Sequence, residues 1–80
     1  MTQAILRLPA VKMATGLSRS TIYLRIMHGV ITHPVSLGGR AVGWPAHEVA
    51  ALNAARIAGK SEAEIRDLVV KLEADRKAAA

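Results

Sequence analysis

Cysteine and phenylalanine are missing from this 80-residue chain, tyrosine and tryptophan occur once each, and residues 1–60 contain a single acidic side chain, Glu48. Without cysteine there is neither a disulfide nor a Cys-based zinc site. With so few aromatics the core has to be aliphatic, and a 51% hydrophobic content is enough to build one. One carboxylate in sixty residues leaves no pair for general acid–base catalysis. His28, His33 and His47 show no ligand spacing, and His47-Glu48 is not part of an H-E-x-x-H motif, so no metal is expected. Neither G-x-x-x-x-G-K-[ST] nor G-x-G-x-x-G occurs, which argues against a nucleotide cradle. No cofactor is expected, and an enzyme is the least favoured class. No apolar run approaches a membrane span and no signal-peptide pattern opens the chain, so the expected compartment is the cytoplasm.

What is present is a strongly uneven distribution of charge. Arg7, Lys12, Arg19, Arg25, Arg40, Arg56 and Lys60 face only Glu48 in residues 1–60, a net of +6. Arg66, Lys71, Arg76 and Lys77 face Glu62, Glu64, Asp67, Glu73 and Asp75 in residues 61–80, a net of −1. The positive field therefore belongs to the first three quarters of the chain. Such a field attracts a polyanion and speeds encounter with it, although the same charge can also serve solubility.

Length implies one small domain, which buries only about 60–65% of its unfolded surface. Pro9 suits the first turn of a helix, and the recurrence of Leu8, Val11 and Ala14 predicts that helix over 9–15. Gly16 can stop it in a left-handed conformation, and Ser18 is a good N-cap for a second helix running to His28 with Ile22 and Ile26 buried. Val30 to Pro34 forms a connector. Apolar alternation on either side of Gly38-Gly39 predicts a β-hairpin with a two-residue turn, placing Val35, Leu37, Val42 and Trp44 on one face and Arg40 at the tip. A third helix is expected from Pro45 to Gly59, with Val49, Leu52 and Ile57 buried. Ser61 and Glu64 form a capping box at the head of a fourth helix over 62–78, striped by Ile65, Leu68, Val69 and Leu72.

Two helices joined by a tight turn, followed at once by a hairpin, read as a winged helix-turn-helix: a mostly α fold with a small β wing. Ser18, Ser20, Thr21, Tyr23 and His28 on or beside the second helix can hydrogen-bond DNA. Arg19 and Arg25 are candidates for guanine O6/N7 or phosphate. Gly39 lets Arg40 approach a backbone or minor groove. Each has a plainer alternative: an ordinary αα-corner, solvated arginines, a Tyr23 ring packed at the core edge, a hairpin that is only structural. Trp44 anchors the hairpin rather than stacking on a base. Residues 1–60 are expected to form the DNA-binding domain. Residues 61–80 are expected to be an amphipathic helix that packs on it or mediates self-association.

The runs Arg7-Leu8-Pro9-Ala10-Val11, Thr15-Gly16-Leu17-Ser18-Arg19-Ser20-Thr21-Ile22-Tyr23 and Leu37-Gly38-Gly39-Arg40-Ala41-Val42-Gly43-Trp44 resemble the AlpA family of phage and prophage regulators over about residues 5–59. The resemblance implies a MerR-like winged helix-turn-helix, close to the excisionases, in a bacterial, nucleoid-associated protein. It implies regulation of transcription in a mobile element, for instance of an integrase gene. It assigns Ser18, Arg19, Ser20, Thr21 and Tyr23 to the recognition helix and Gly39 and Arg40 to the wing. Ile31-Thr32 stands where such proteins usually carry Phe-Pro, and Leu24 where a basic residue is frequent. The expected partner is double-stranded DNA, with self-association on repeated sites. The alternatives are an excisionase-type protein that bends DNA and, from another class, a small protein-interaction adaptor.

Overall fold

The computed structural model describes residues 4–78. Its elements are β1 (Ile5–Leu6), α1 (Leu8–Thr15), α2 (Arg19–Met27), β2 (Val35–Ser36), β3 (Val42–Pro45), α3 (Ala46–Ile57) and α4 (Glu62–Ala78). The three strands form one antiparallel sheet in the order β1-β3-β2. Four helices with a small sheet agree with the winged helix-turn-helix class.

The turn between α1 and α2 follows from its residues. Gly16 takes φ 72°, and its N–H donates to Lys12 O at 2.8 Å, which closes α1. Ser18 Oγ accepts from Thr21 N at 3.3 Å and caps α2. The C-terminus of α1 has a further partner that local sequence does not reveal: Asn53 Nδ2, from α3, donates to Ala14 O at 2.8 Å.

One core joins all four helices to the sheet. Val11, Ile22, Ile26, Val30, Ile31, Trp44, Val49, Leu52, Ile65, Val69 and Leu72 are buried in a single cluster. Ile65, Val69 and Leu72 bring α4 into it, with Leu68 half-buried beside them. Trp44 is fully buried, and its Nε1–H donates to Thr32 O at 3.0 Å. It therefore fastens β3 to the connector after α2.

One strand lies outside the sequence expectations, and two of those expectations are corrected. The segment before α1 is a strand: Ile5 pairs with Pro45 and Leu6 with Trp44. The hairpin loop has three residues, Gly38, Gly39 and Arg40. Val35 pairs with Gly43 and Ser36 with Val42, and Leu37 N donates to Ala41 O at 2.8 Å. One extra loop residue moves one strand to its other face relative to its partner. Val42 thus shares a face with the buried Trp44, whereas Val35 and Leu37 share the opposite face with Gly43. There a Cβ on Gly43 would stand 2.5 Å from Ile5 Cγ2, which explains the glycine. Finally, Ile57 is exposed rather than buried. Its helical position lies off the Glu48, Leu52, Ala55 line, and that line is the one that faces the core.

Candidate nucleic-acid interface

α2 turns two isoleucines inward and its polar face outward. Ile22 and Ile26 are buried, while Ser20, Leu24, Met27 and His28 are exposed and Thr21, Tyr23 and Arg25 are half-buried. At the N-terminal turn, Ser18 Oγ reaches Thr21 Oγ1 at 3.0 Å and Ser20 Oγ at 3.3 Å. This small hydroxyl cluster lies at the N-terminal end of the helix, where the Thr21 N–H is taken by Ser18 and the first backbone N–H groups have no partner within the helix.

Tyr23 sets the orientation of this surface. Its ring meets the buried Trp44 edge-on, with centroids 6.3 Å apart and planes at 68°. Arg19 lies over the same ring, its guanidinium carbon 5.3 Å from the centroid. The chain of contacts Arg19–Tyr23–Trp44–Thr32 therefore links α2 to the wing and to the connector. Arg25 sits at an apolar cavity of about 370 Å³ between α1, α2 and α3, with Arg56 also on its lining. On the wing, Gly38 and Gly39 have positive φ and Arg40 is exposed.

The back of the site is held by α4. Arg66 Nε donates to His28 O at 3.0 Å at the end of α2. Glu73 Oε2 accepts from His33 N at 2.7 Å and lies 2.9 Å from His33 Nδ1. Arg76 Nη2 donates to His33 O at 2.6 Å. The His33 ring is thus engaged by a carboxylate of α4. His28 stays exposed and only its backbone carbonyl is used.

Glu48, the lone acid of residues 1–60, is fully buried. Arg76 holds it bidentately, Nε to Oε2 at 2.7 Å and Nη2 to Oε1 at 2.6 Å. That hydrogen-bonded pairing, set against burial, raises the Arg76 pKa. No carboxylate from residues 1–60 is therefore left on the surface to oppose their seven cations. Burial works to raise the Glu73 carboxyl, but the hydrogen bonds from His33 and the charges of His33 and Arg76 outweigh it and hold the group below its ordinary value. At Glu64 the Ser61 backbone bond, the Ser61 hydroxyl and Lys60 likewise lower the pKa. That is the capping box in place, with Ser61 N to Glu64 Oε1 at 3.0 Å and Glu64 N to Ser61 Oγ at 3.2 Å.

Among the described residues no cluster of three potential metal ligands occurs, and no helix is long and apolar enough to cross a membrane. Residues 4–57 match the family described as Prophage CP4-57 regulatory protein (AlpA). The chain belongs to the AlpA family. It is also 50% identical over 58 residues to the Uncharacterized protein ORF88 of Enterobacteria phage P4. That stretch takes in 72% of this chain and 66% of the phage protein, just under two thirds of its length. No solved structure matches. The AlpA match takes in β1 through α3 and ends at Ile57, so it includes the helix-turn-helix, the sheet and Glu48. Arg66, Glu73 and Arg76, which brace those elements, all lie beyond it. The family is one of phage-associated regulators, and a small helical fold with a wing suits that assignment.

Proposed function

We propose that this AlpA-family chain is a sequence-specific duplex-DNA-binding regulator of transcription, carried by a phage or other mobile element. In this reading α2 enters the major groove. Ser18, Ser20, Thr21, Tyr23 and His28 contact sugar-phosphate or base edges, with Arg19 and Arg25 to their sides. Gly39 and Arg40 bring the wing onto a backbone or minor groove. The observation that carries the reading is the cationic surface of residues 1–60, whose single acid is withdrawn into the core and neutralised by Arg76. The seven basic side chains of that segment attract a polyanion without a competing carboxylate from the same segment.

The test is selection of bound sequences from a random duplex pool, followed by affinity measurements over a range of salt. A preferred sequence should emerge, and log K should fall linearly with log salt, by roughly 0.9 per phosphate contact. Arg40→Ala should reduce that slope by roughly one unit without changing the preferred sequence. Absence of binding at low salt, or binding indifferent to salt, would refute the proposal. Bending of the selected duplex would point to an excisionase-like architectural role. Capture of a protein partner in place of DNA would point to an adaptor. Self-association is expected only on DNA carrying repeated sites.

A further inference from the structure

We infer that Leu24, with Met27 beside it, reads the C5-methyl groups of thymine in the major groove, so that the preferred site is specified by thymines at the centre of the α2 footprint. The inference rests on the DNA-binding reading above and goes further, naming the base chemistry that α2 takes.

Successive residues of a helix turn by roughly 100°. Ile22 and Ile26 define the buried direction of α2, and Leu24 lies opposite their midpoint. It is therefore the outward pole of the helix. Ser20, Thr21, Met27 and His28 fall within roughly 60° of it on the same spacing. The exposures agree: Leu24 is 50% and Met27 82% exposed. The stripe that would meet the floor of the groove thus has two apolar side chains, Leu24 at its centre and Met27 beside it, flanked by the Ser20 and Thr21 hydroxyls and by His28.

The arginines lie to the sides. Arg19 and Arg25 are displaced from Leu24 by roughly 100° or more. Arg19 is laid over the Tyr23 ring, and Arg25 borders the cavity between the helices. Those positions suit the phosphate rails of a groove better than its floor, where bidentate recognition of guanine needs a head-on approach. Thymine is the one base that offers an apolar group in the major groove, and aliphatic contact is how that group is read. A leucine at the pole gains nothing from the hydrogen-bonding edges of guanine, adenine or cytosine, and it desolvates them without replacing their partners. Ser20 remains available to accept or donate at either purine.

The test uses the full chain and the selected duplex. Each thymine is replaced singly by deoxyuridine, which keeps every hydrogen bond and removes only the methyl group. At one or two central positions the replacement should weaken binding by about 4-fold, the effect of one methyl taken out of contact. Leu24→Ala should bind the thymine duplex more weakly and lose its sensitivity to deoxyuridine at those positions, while Arg40→Ala keeps it. Because Leu24 is half exposed, thermal melting of Leu24→Ala should match that of the parent and so report a folded protein. A sequence-selective complex indifferent to deoxyuridine everywhere overturns this inference and leaves the DNA-binding reading standing. Equal sensitivity in Leu24→Ala overturns the role of Leu24. Failure to bind any duplex overturns both.

Discussion

Arg76 is the residue on which the buried charge of this protein depends. Glu48 is wholly inaccessible and takes both of its charge-assisted hydrogen bonds from that one guanidinium. Arg76→Ala leaves a carboxylate buried without a counter-charge, and the expected loss is about 3–5 kcal/mol of stability, measured by urea unfolding. Replacing the pair together, as Glu48→Leu with Arg76→Met, should recover most of that loss, because the charge is removed along with its partner. A double variant as unstable as Arg76→Ala would mean that packing of the guanidinium or its bond to His33 O, and not charge pairing, was responsible. Glu73 supplies a pH-dependent component. Its pKa is lower in the folded protein than the ordinary 4.5, so the unfolded chain takes up the proton first. Its contribution is present above about pH 4.5 and is lost as the pH falls through the lower folded value. The gap in melting temperature between parent and Glu73→Gln should therefore be fully open above about pH 4.5 and narrow as the pH falls below it. A gap that does not change with pH would deny the carboxylate its role.

At the scale of elements, what could be read in the sequence was what is decided locally. The Gly16 stop, the Ser18 cap and the Ser61–Glu64 box each involve residues within four positions of one another, and each is found in the structure. The extents of α1 to α4 follow from such signals. The wing was legible as a hairpin but not in register, because apolar alternation around Gly38-Gly39 fits a two-residue or a three-residue loop equally well. β1 was illegible, since two residues show no alternation and gain their identity only by pairing with β3. The candidate residues of α2 were visible from helical spacing. Their support was not: Arg66, Glu73 and Arg76 act across 38 to 43 residues at His28 and His33, and only the packing of α4 brings them there. Two consequences can be measured. Gly43→Ala forces a Cβ against Ile5 and the Leu6 carbonyl, and should cost about 1–3 kcal/mol while parting β1 from β3. Amide exchange at Leu6 and Ala46 would report it, and unchanged exchange would contradict the close approach. Deletion of residues 61–80 removes Ile65, Val69 and Leu72 from the core, and circular dichroism should then show loss of helix from the remaining sixty residues as well. A truncated chain that melts like the parent would mean that α4 is dispensable for the fold.

At the scale of the whole molecule, the charge is divided by element. The part that carries α1, α2, the wing and α3 holds seven basic residues, with its one acid sealed inside, while the segment from Ser61 onward is close to neutral, with exposed Glu62, Glu64, Asp67 and Asp75. DNA should approach the first part and leave the outer face of α4 untouched. In the proposed reading α2 and the wing meet the duplex, while α4 holds the end of α2 and the connector. The direct test is a titration of the isotopically labelled chain with its selected duplex, followed by amide chemical shifts. The account predicts shifts concentrated in residues 18–28 and 38–40, with exposed residues of α4 such as Asp67, Val70 and Lys71 unmoved. Shifts concentrated on α4, with residues 18–28 unmoved, would contradict it.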